Sequence, residues 1–194
     1  MPKKFVGFLM MSYARRMKVY FTRHGKTNYN DLELCNADPT VNVHITSLGA
    51  EQAESLAERL KEMPIDCIFV SELKRTQQTA EIVNKFHHVP INVTPLLNDH
   101  RSGNEGKSAK LLMEALNKAE NRWTARLNDG ESIEDMKKRV AKFLDELKPK
   151  PYDAVLIVTS QWIIHAAVAI IQHISNEEAW KLEVNQGSCL ELEI

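Results

Sequence analysis

Polar residues with distinct chemistry follow three hydrophobic segments of the chain. Arg23 and His24 follow the first segment, Arg75 lies shortly after the second, and Thr159 and Ser160 follow the third. When such segments are parallel strands of one open sheet, ligand sites form beyond their carboxyl ends. We therefore expect these side chains to converge on one crevice.

Two arginines and a histidine in one crevice suit a phosphate ester. Guanidinium groups bind phosphate oxygens in pairs, and a neutral imidazole is a competent nucleophile. The net charge of −1 gives the chain no overall field for anions, so binding must come from such a local cluster. The same charge balance gives no reason to expect nucleic acid or an acidic membrane as a partner.

The three segments have the composition of buried strands. Lys18–Thr22 is rich in β-branched and aromatic residues, and Cys67–Val70 is a short apolar run. Ala154–Val158 is apolar throughout, which is typical of a central parallel strand. Two further strands are expected, a short one within Asn92–Leu97 and a closing one at Cys189–Ile194.

Helical periodicity fills the intervals between these strands. We predict helices over Ser47–Met63, Leu73–Phe86, Leu111–Trp123, Ile133–Leu147 and Ile163–Ile171. In the first two, the residues expected to face the core are Leu48, Ala53, Leu56, Ala57, Leu60, Ile82, Val83 and Phe86. The fourth helix should begin at Ser132, a good N-cap, with Asp135 three residues on. Alternating strands and helices predict an α/β fold with a largely parallel sheet.

The length of the chain and its cysteine content indicate how many domains it has and in which compartment it is found. The 194 residues suit one domain, which we place at residues 17–194 after an N-terminal extension at residues 1–16. The extension has a short apolar stretch after two lysines, but two arginines follow it, so an extension is favoured over a signal peptide. Three cysteines without close spacing favour a reducing cytoplasm. No apolar run approaches the roughly 20 residues that span a bilayer.

Several motifs together resemble the histidine phosphatase (phosphoglycerate mutase-like) superfamily. The run FTRHGKTNYN contains the signature Arg-His-Gly-x-Thr, followed three residues later by asparagine. Four further blocks occur in the family order: Thr46, Gly49, Gln52 and Ala53; SELKRTQQTA at Ser71–Ala80; LNDHRSG at Leu97–Gly103; and GES at Gly130–Ser132 with Arg139. The resemblance implies a three-layer α/β sandwich, with a mixed, mainly parallel sheet flanked by helices on both faces.

The resemblance also implies a mechanism and a set of roles. His24 would attack phosphorus and become a phosphohistidine, while Arg23, Asn30 and Arg75 hold the phosphoryl oxygens. Asp99 stands where the family usually has the glutamate that protonates the leaving oxygen. The substrate would be a small phosphorylated metabolite, and no metal or organic cofactor is implied.

Two positions depart from the family pattern. The family's usual Ser/Thr-His-Gly-Gly block is here Thr159-Ser160-Gln161-Trp162, so Ser160 stands in place of the second active-site histidine. This replacement is either natural or engineered, and losing such a donor typically costs about 100- to 1000-fold in rate. Trp162 is close enough to line the same pocket. The spacing after Gly103 is shorter than the usual family pattern, which leaves Glu105 as an alternative acid to Asp99.

Three functions remain open at this point. A phosphomonoester hydrolase is favoured over a phosphoglycerate mutase-type phosphotransferase, because mutases of the family usually carry longer insertions. The departure at Ser160 supports a third possibility, a catalytically weak pseudoenzyme that binds a phosphorylated ligand. The oligomeric state is not predicted.

Overall fold

A computed structural model describes residues 16–194 of the chain, and the sheet lies at its centre. Its strands are β1 (Lys18–Arg23), β2 (Cys67–Val70), β3 (Ile91–Val93), β4 (Ala154–Thr159) and β5 (Cys189–Glu193). The strand order is β3-β2-β4-β1-β5, in which only β5, paired with β1, is antiparallel to its neighbour. The mixed, mainly parallel sheet is therefore confirmed.

The register brings the carboxyl ends of the three inner strands to the same level. Arg23 at the end of β1 lies opposite Thr159 of β4, and Val70 at the end of β2 lies opposite Val158. His24 extends the β1 register by one residue, because its backbone N–H donates to the carbonyl of Thr159 at 3.0 Å. The polar residues that follow these strands consequently meet at one edge of the sheet.

Helices cover both faces of the sheet, which confirms the three-layer arrangement. They are α1 (Asn28–Asp31), α2 (Ser47–Leu60), α3 (Lys74–Val83), α4 (Ala109–Lys118), α5 (Ile133–Leu147), α6 (Gln161–Ile171) and α7 (Asn176–Ala179). Helices α2 and α3 pack on one face, against alternate residues of the strands such as Ile68 and Leu156. Helices α5 and α6 pack on the other face, where Phe21 and Ile157 belong to the larger core.

Capping and core patterns explain why α5 has the predicted bounds. The hydroxyl of Ser132 accepts the backbone N–H of Asp135, and the Asp135 carboxylate accepts the backbone N–H of Ser132. Six apolar residues at helical spacing then face the core: Ile133, Met136, Val140, Phe143, Leu144 and Leu147. A reciprocal cap and an uninterrupted apolar stripe point to the same helix.

A short strand is present in this region, as predicted, but the predicted bounds, Asn92–Leu97, were wrong. Strand β3 ends at Val93, and Pro95–Leu97 form a 3-10 helix whose first turn is capped by the hydroxyl of Thr94. Pro95 lacks a backbone N–H and has a restricted φ, so it cannot continue the ladder but fits the start of a helical turn.

Several helix ends and core assignments also differ from the predictions. Helix α3 stops at Val83, so Phe86 lies beyond it and is exposed rather than inward; Leu48 in α2 is likewise exposed. Helix α4 begins at Ala109 and ends at Lys118, five residues before the predicted Trp123. The amide oxygen of Asn121 accepts the backbone N–H of Trp123, a local turn that replaces the last helical turn.

The loop that carries His24 is held against the N-terminus of α2. Thr46 caps this helix and donates its backbone N–H to the carbonyl of Lys26, while the side-chain oxygen of Gln52 accepts the Lys26 N–H. A Cβ on Gly49 would lie 2.2 Å from the carbonyl oxygen of Lys26. Only glycine permits this approach, so Thr46, Gly49 and Gln52 together fix the loop.

Two loops beyond the sheet edge are joined to each other by backbone hydrogen bonds. Leu34 and Ser108 form an antiparallel bridge. The N–H of Cys35 donates to the carbonyl of Lys107 at 2.9 Å, and the N–H of Ala109 donates to that of Glu33 at 2.8 Å. We call these paired segments, residues 33–36 and 106–109, the roof.

The predicted N-terminal extension, residues 1–16, lies outside the described residues except for Arg16. Met17 is buried and pairs through its backbone with Ile194, so the described chain joins the sheet from this residue onward. Within residues 16–194, no helix has the length and apolar character needed to cross a membrane.

We expect Gly49→Ala to destabilise the protein, although alanine normally favours a helix by about 1 kcal/mol over glycine. The added Cβ would overlap the Lys26 carbonyl, and overpacking of this kind costs about 1–3 kcal/mol. Urea unfolding measures the difference. Glu51→Ala, an exposed change in the same helix, is the control and should stay within about 0.5 kcal/mol. A Gly49→Ala protein more stable than the parent would contradict this account of the loop.

Candidate active site

His24 is buried, and its two ring nitrogens have different partners. Nδ1 lies 2.8 Å from the carbonyl oxygen of Gly25, which can only accept a hydrogen bond. Nε2 lies 3.1 Å from Nε of Arg75, which can only donate one. The two contacts therefore select the tautomer with hydrogen on Nδ1 and a lone pair on Nε2.

The surroundings of His24 also keep its ring neutral. Burial, and then the positive charge of Arg75, lower the pKa of His24 well below its ordinary value of 6.5. The hydrogen bond to Gly25 and the charge of Arg23 have smaller effects on this pKa, in opposite directions. An imidazole that is neutral and carries no proton on Nε2 can act as a nucleophile at neutral pH.

Arg75 is the centre of the site. Helix α3 carries it, its side chain is 4% exposed, and its guanidinium contacts residues from three segments besides the loop of His24. Nη1 donates to the side-chain oxygen of Asn36 at 2.8 Å, and Nη2 donates to the backbone oxygen of the same residue at 2.9 Å. Nη2 also lies 3.1 Å from Oδ2 of Asp99 and 3.4 Å from the hydroxyl of Ser160.

Asp99 lies at the edge of the site with both carboxylate oxygens engaged. Oδ1 accepts the backbone N–H of His100 at 2.8 Å, and Oδ2 accepts from Arg75. Its backbone carbonyl accepts from Nη2 of Arg139 at 2.9 Å, so α5 holds this segment in place. The side chain is partly exposed, unlike that of Arg75.

Arg139 is itself held by a buried ion pair. Its Nη2 lies 2.8 Å and its Nε 3.1 Å from the two carboxylate oxygens of Glu131. Burial opposes ionisation of Glu131, but the hydrogen bonds and charge of Arg139 outweigh it and lower the pKa of Glu131. Glu131, from the GES block, therefore holds Arg139 in place, and Arg139 in turn holds the backbone of Asp99.

Ser160 occupies the N-cap position of α6 but does not cap the helix through its side chain. The residue is buried and its hydroxyl faces Arg75. His165, on the same helix, contacts the carbonyl of Leu182 through Nε2 and packs beside Trp180, so it does not contact the site.

Arg23, Asn30, Arg75 and Asp99 all line one cavity of about 240 Å³. Nη1 of Arg23 donates to the carbonyl of Val184 at 2.8 Å, which fixes its direction. The side-chain oxygen of Asn30 accepts the N–H of Thr27, in a reciprocal cap of α1. His24 and Ser160 are not in the cavity wall and meet the other site residues through Arg75.

Glu105, the alternative acid, has a different position. Its Oε2 accepts the backbone N–H of Ala37 at 2.8 Å and lies 3.3 Å from the side-chain nitrogen of Asn36. Glu105 does not line the cavity. Its carboxylate anchors the loop that presents Asn36 to Arg75.

Some neighbours of the site were predicted from the sequence and others were not. Asn36 was missed, because nothing in the local pattern shows that this loop residue reaches Arg75. His100 was not predicted to belong to the site, yet it lines the cavity, as Trp162 was predicted to do. Cys35 also lines it, but burial raises the pKa of its thiol to about 11, so it stays protonated at neutral pH. Within residues 16–194, no group of three or more His, Cys, Asp or Glu residues could hold a metal ion.

The fold places an arginine beside a buried, neutral histidine at one edge of the sheet. Comparison with known proteins identifies the class of protein that has this arrangement. Residues 19–194 match the family model of the histidine phosphatase superfamily, branch 1. The chain belongs to this superfamily.

Individual relatives extend over nearly the whole chain. It is 30% identical to the adenosylcobalamin/α-ribazole phosphatase of Escherichia coli K12, over 88% of this chain and 87% of the relative. A Hydrogenobacter thermophilus protein provisionally named phosphoserine phosphatase 2 is 28% identical, over 90% and 88% of the two chains. A crystal structure of an E. coli protein provisionally named α-ribazole-5′-phosphate phosphatase superposes with a TM-score of 0.82 at 26% identity, covering 92% and 90%.

We expect His24 to be mainly neutral, with hydrogen on Nδ1, at pH 6.5, where an unperturbed histidine is half protonated. Its pKa is lowered, so protonation of Nε2 requires more acid than for a free histidine. Long-range ¹H–¹⁵N spectra report the tautomer and charge directly, and His24→Asn assigns the signal by its loss. A ring that is protonated on both nitrogens at pH 6.5 would contradict the assignment.

Proposed function

We propose that the protein is a phosphomonoester hydrolase that works through a phosphohistidine on His24. The observation that carries this proposal is the Nε2 lone pair of a neutral His24, held 3.1 Å from the Arg75 guanidinium. Arg23, Asn30 and Arg75 hold the phosphoryl oxygens, since all three line the cavity and carry donors. Membership of the superfamily and the phosphatase names of its relatives support hydrolysis.

The first step transfers the phosphoryl group to the enzyme. Nε2 of His24 forms a bond to phosphorus while the bond from phosphorus to the ester oxygen breaks. Asp99, in its protonated form, gives its proton to that oxygen, and the alcohol leaves. In the second step Asp99 takes a proton from water, the water oxygen bonds to phosphorus, and the bond to Nε2 breaks to release phosphate.

Asp99 is the better candidate for this acid than Glu105. Asp99 lines the cavity beside Arg75, within reach of a leaving oxygen on a phosphate held there. The Glu105 carboxylate lies outside the cavity and is committed to Ala37 and Asn36. Removing it would loosen the loop rather than remove a proton donor.

The substrate we propose is a small phosphorylated metabolite. The Escherichia coli relative is named for adenosylcobalamin and α-ribazole, and the Hydrogenobacter thermophilus relative is named for phosphoserine. A cavity of about 240 Å³ suits a small ligand better than a folded phosphoprotein segment. Three free cysteines support a cytoplasmic location.

We expect His24→Ala to abolish release of phosphate from p-nitrophenyl phosphate, because the substitution removes the Nε2 atom that forms the bond to phosphorus. Rapid quenching of the parent enzyme should trap an acid-labile, base-stable phosphoenzyme that the variant lacks. His173→Asn, an exposed change at a positive φ that asparagine tolerates, is the matched control and should keep parent activity. Parent-level turnover by His24→Ala would place the chemistry elsewhere.

Ser160 bears on the choice between this enzyme and a weak phosphate-binding pseudoenzyme. We propose that it occupies the position of the family's second histidine, because it follows β4 directly and its hydroxyl faces Arg75. A serine there is shorter and uncharged, so it gives less stabilisation to charge that develops on the phosphoryl oxygens. Such a loss affects the transition state more than ground-state binding.

We therefore expect Ser160→His to raise kcat by at least about tenfold, with a smaller change in KM. Ser160→Ala is the control for loss of the hydroxyl alone, and circular dichroism checks that both variants fold. If a folded Ser160→His protein is no faster than the parent, this site does not lack a donor at position 160. The pseudoenzyme function would then be favoured.

A further inference from the structure

The cavity is lined by apolar residues as well as by the residues that we propose bind phosphate. Its wall includes the side chains of Leu34, Cys35, Val43, Leu112, Met113 and Trp162. These residues come from the roof and its neighbouring segments and from α4 and α6. The phosphoryl group occupies the arginine end, so these apolar residues face the remainder of the ester.

One side of the cavity is a rigid aromatic surface. The rings of Trp162 and His100 are stacked, with centroids 5.0 Å apart and planes 24° apart. Trp162 also packs edge-on against Trp180 at 6.3 Å, and Nε2 of His100 donates to the carbonyl of Glu131 at 2.8 Å. Both rings are therefore fixed by contacts outside the cavity, and a planar ligand group meets a preformed surface.

Charge in the cavity is confined to the phosphate end. Among residues 16–194, the only arginines or lysines in its wall are Arg23 and Arg75, and the only carboxylate is that of Asp99. Burial also lowers the pKa of His100, which keeps that ring neutral. A carboxylate or ammonium group on the substrate would therefore lose its hydration in this wall without an opposite charge to replace it.

We propose that the Trp162–His100 surface selects phosphate esters of uncharged alcohols that carry an aromatic or other apolar group. This inference rests on the proposed hydrolase function, since it concerns the leaving alcohol at the same site. Trp162 is a specificity-determining residue that packs against the alcohol, while the arginines hold the phosphate. Phosphate esters of charged alcohols, phosphoserine and phosphoglycerate among them, are poor substrates.

The test compares alkyl phosphates with similar leaving groups, so that differences report binding of the alcohol. We expect kcat/KM for 2-phenylethyl phosphate to exceed that for propyl phosphate by about tenfold or more, because a buried ring replaces a methyl group. We expect O-phosphoserine to be turned over more slowly than propyl phosphate. Equal or faster turnover of O-phosphoserine would overturn the inference.

Variants at Trp162 test the surface itself. Trp162→Ala should remove most of the preference, because it should lower kcat/KM for the phenylethyl ester much more than kcat/KM for the propyl ester. Trp162→Phe keeps an aromatic ring and should restore much of the preference, and it also serves if the alanine variant fails to fold. Equal slowing of both esters by Trp162→Phe and Trp162→Ala would show a structural role only and overturn the inference.

Binding of non-hydrolysable phosphonates separates this inference from the proposed function. Calorimetry with 2-phenylethylphosphonate and propylphosphonate measures the preference of the parent protein without turnover. If no ester is hydrolysed, the hydrolase proposal fails, yet tighter binding of the phenylethyl compound still supports the surface. Equal affinity for the two phosphonates would overturn the inference even in an active enzyme.

Discussion

The hydrogen bond from Nε of Arg75 to Nε2 of His24 is the contact on which the site depends. A guanidinium buried to this degree is costly unless its donors have partners, and those partners here come from widely separated parts of the chain. The loop at Asn36, the segment at Asp99 and the start of α6 at Ser160 all meet it. One charged group thereby couples the position of His24 to three segments that reach the site from different parts of the chain. Burial, and then the charge of this guanidinium, lower the pKa of His24. We propose that the same charge holds the phosphate, so binding and nucleophilicity would have a common origin.

Much of the fold could be predicted because its signals are local. Helix α5 was predicted within its observed bounds, since a reciprocal cap and an apolar stripe lie within the same fifteen residues. Strand ends were equally visible, and the parallel register then brought His24, Arg75 and Ser160 together. The contacts that sequence reasoning missed join residues that are far apart in the chain. Asn36 contacts Arg75 across thirty-nine positions, and no periodicity or composition encodes a contact between two loops and a helix.

Much of the family sequence pattern has a supporting role rather than a chemical one. Thr46, Gly49 and Gln52 contact the His24 loop, and Thr79 accepts the backbone N–H of Gly25. Glu131 and Arg139 hold the Asp99 segment in the same manner. These residues never reach a ligand, yet they determine where the reacting groups stand to within a fraction of an ångström. A motif match in this superfamily therefore reports a scaffold first.

The bridge between Leu34 and Ser108 has a consequence for how such a cavity diverges. Because the two roof segments are paired residue by residue, an insertion in one changes the alignment of every backbone contact with the other. Compensation would require a matching change some seventy residues away in the chain. A change in the length of one loop therefore requires a matching change in the other. The side chains that point inward from these loops can instead be substituted one at a time. We therefore expect new ligand preferences in this family to arise by single substitutions of side chains that line the cavity, while the backbone pairing of the roof stays unchanged.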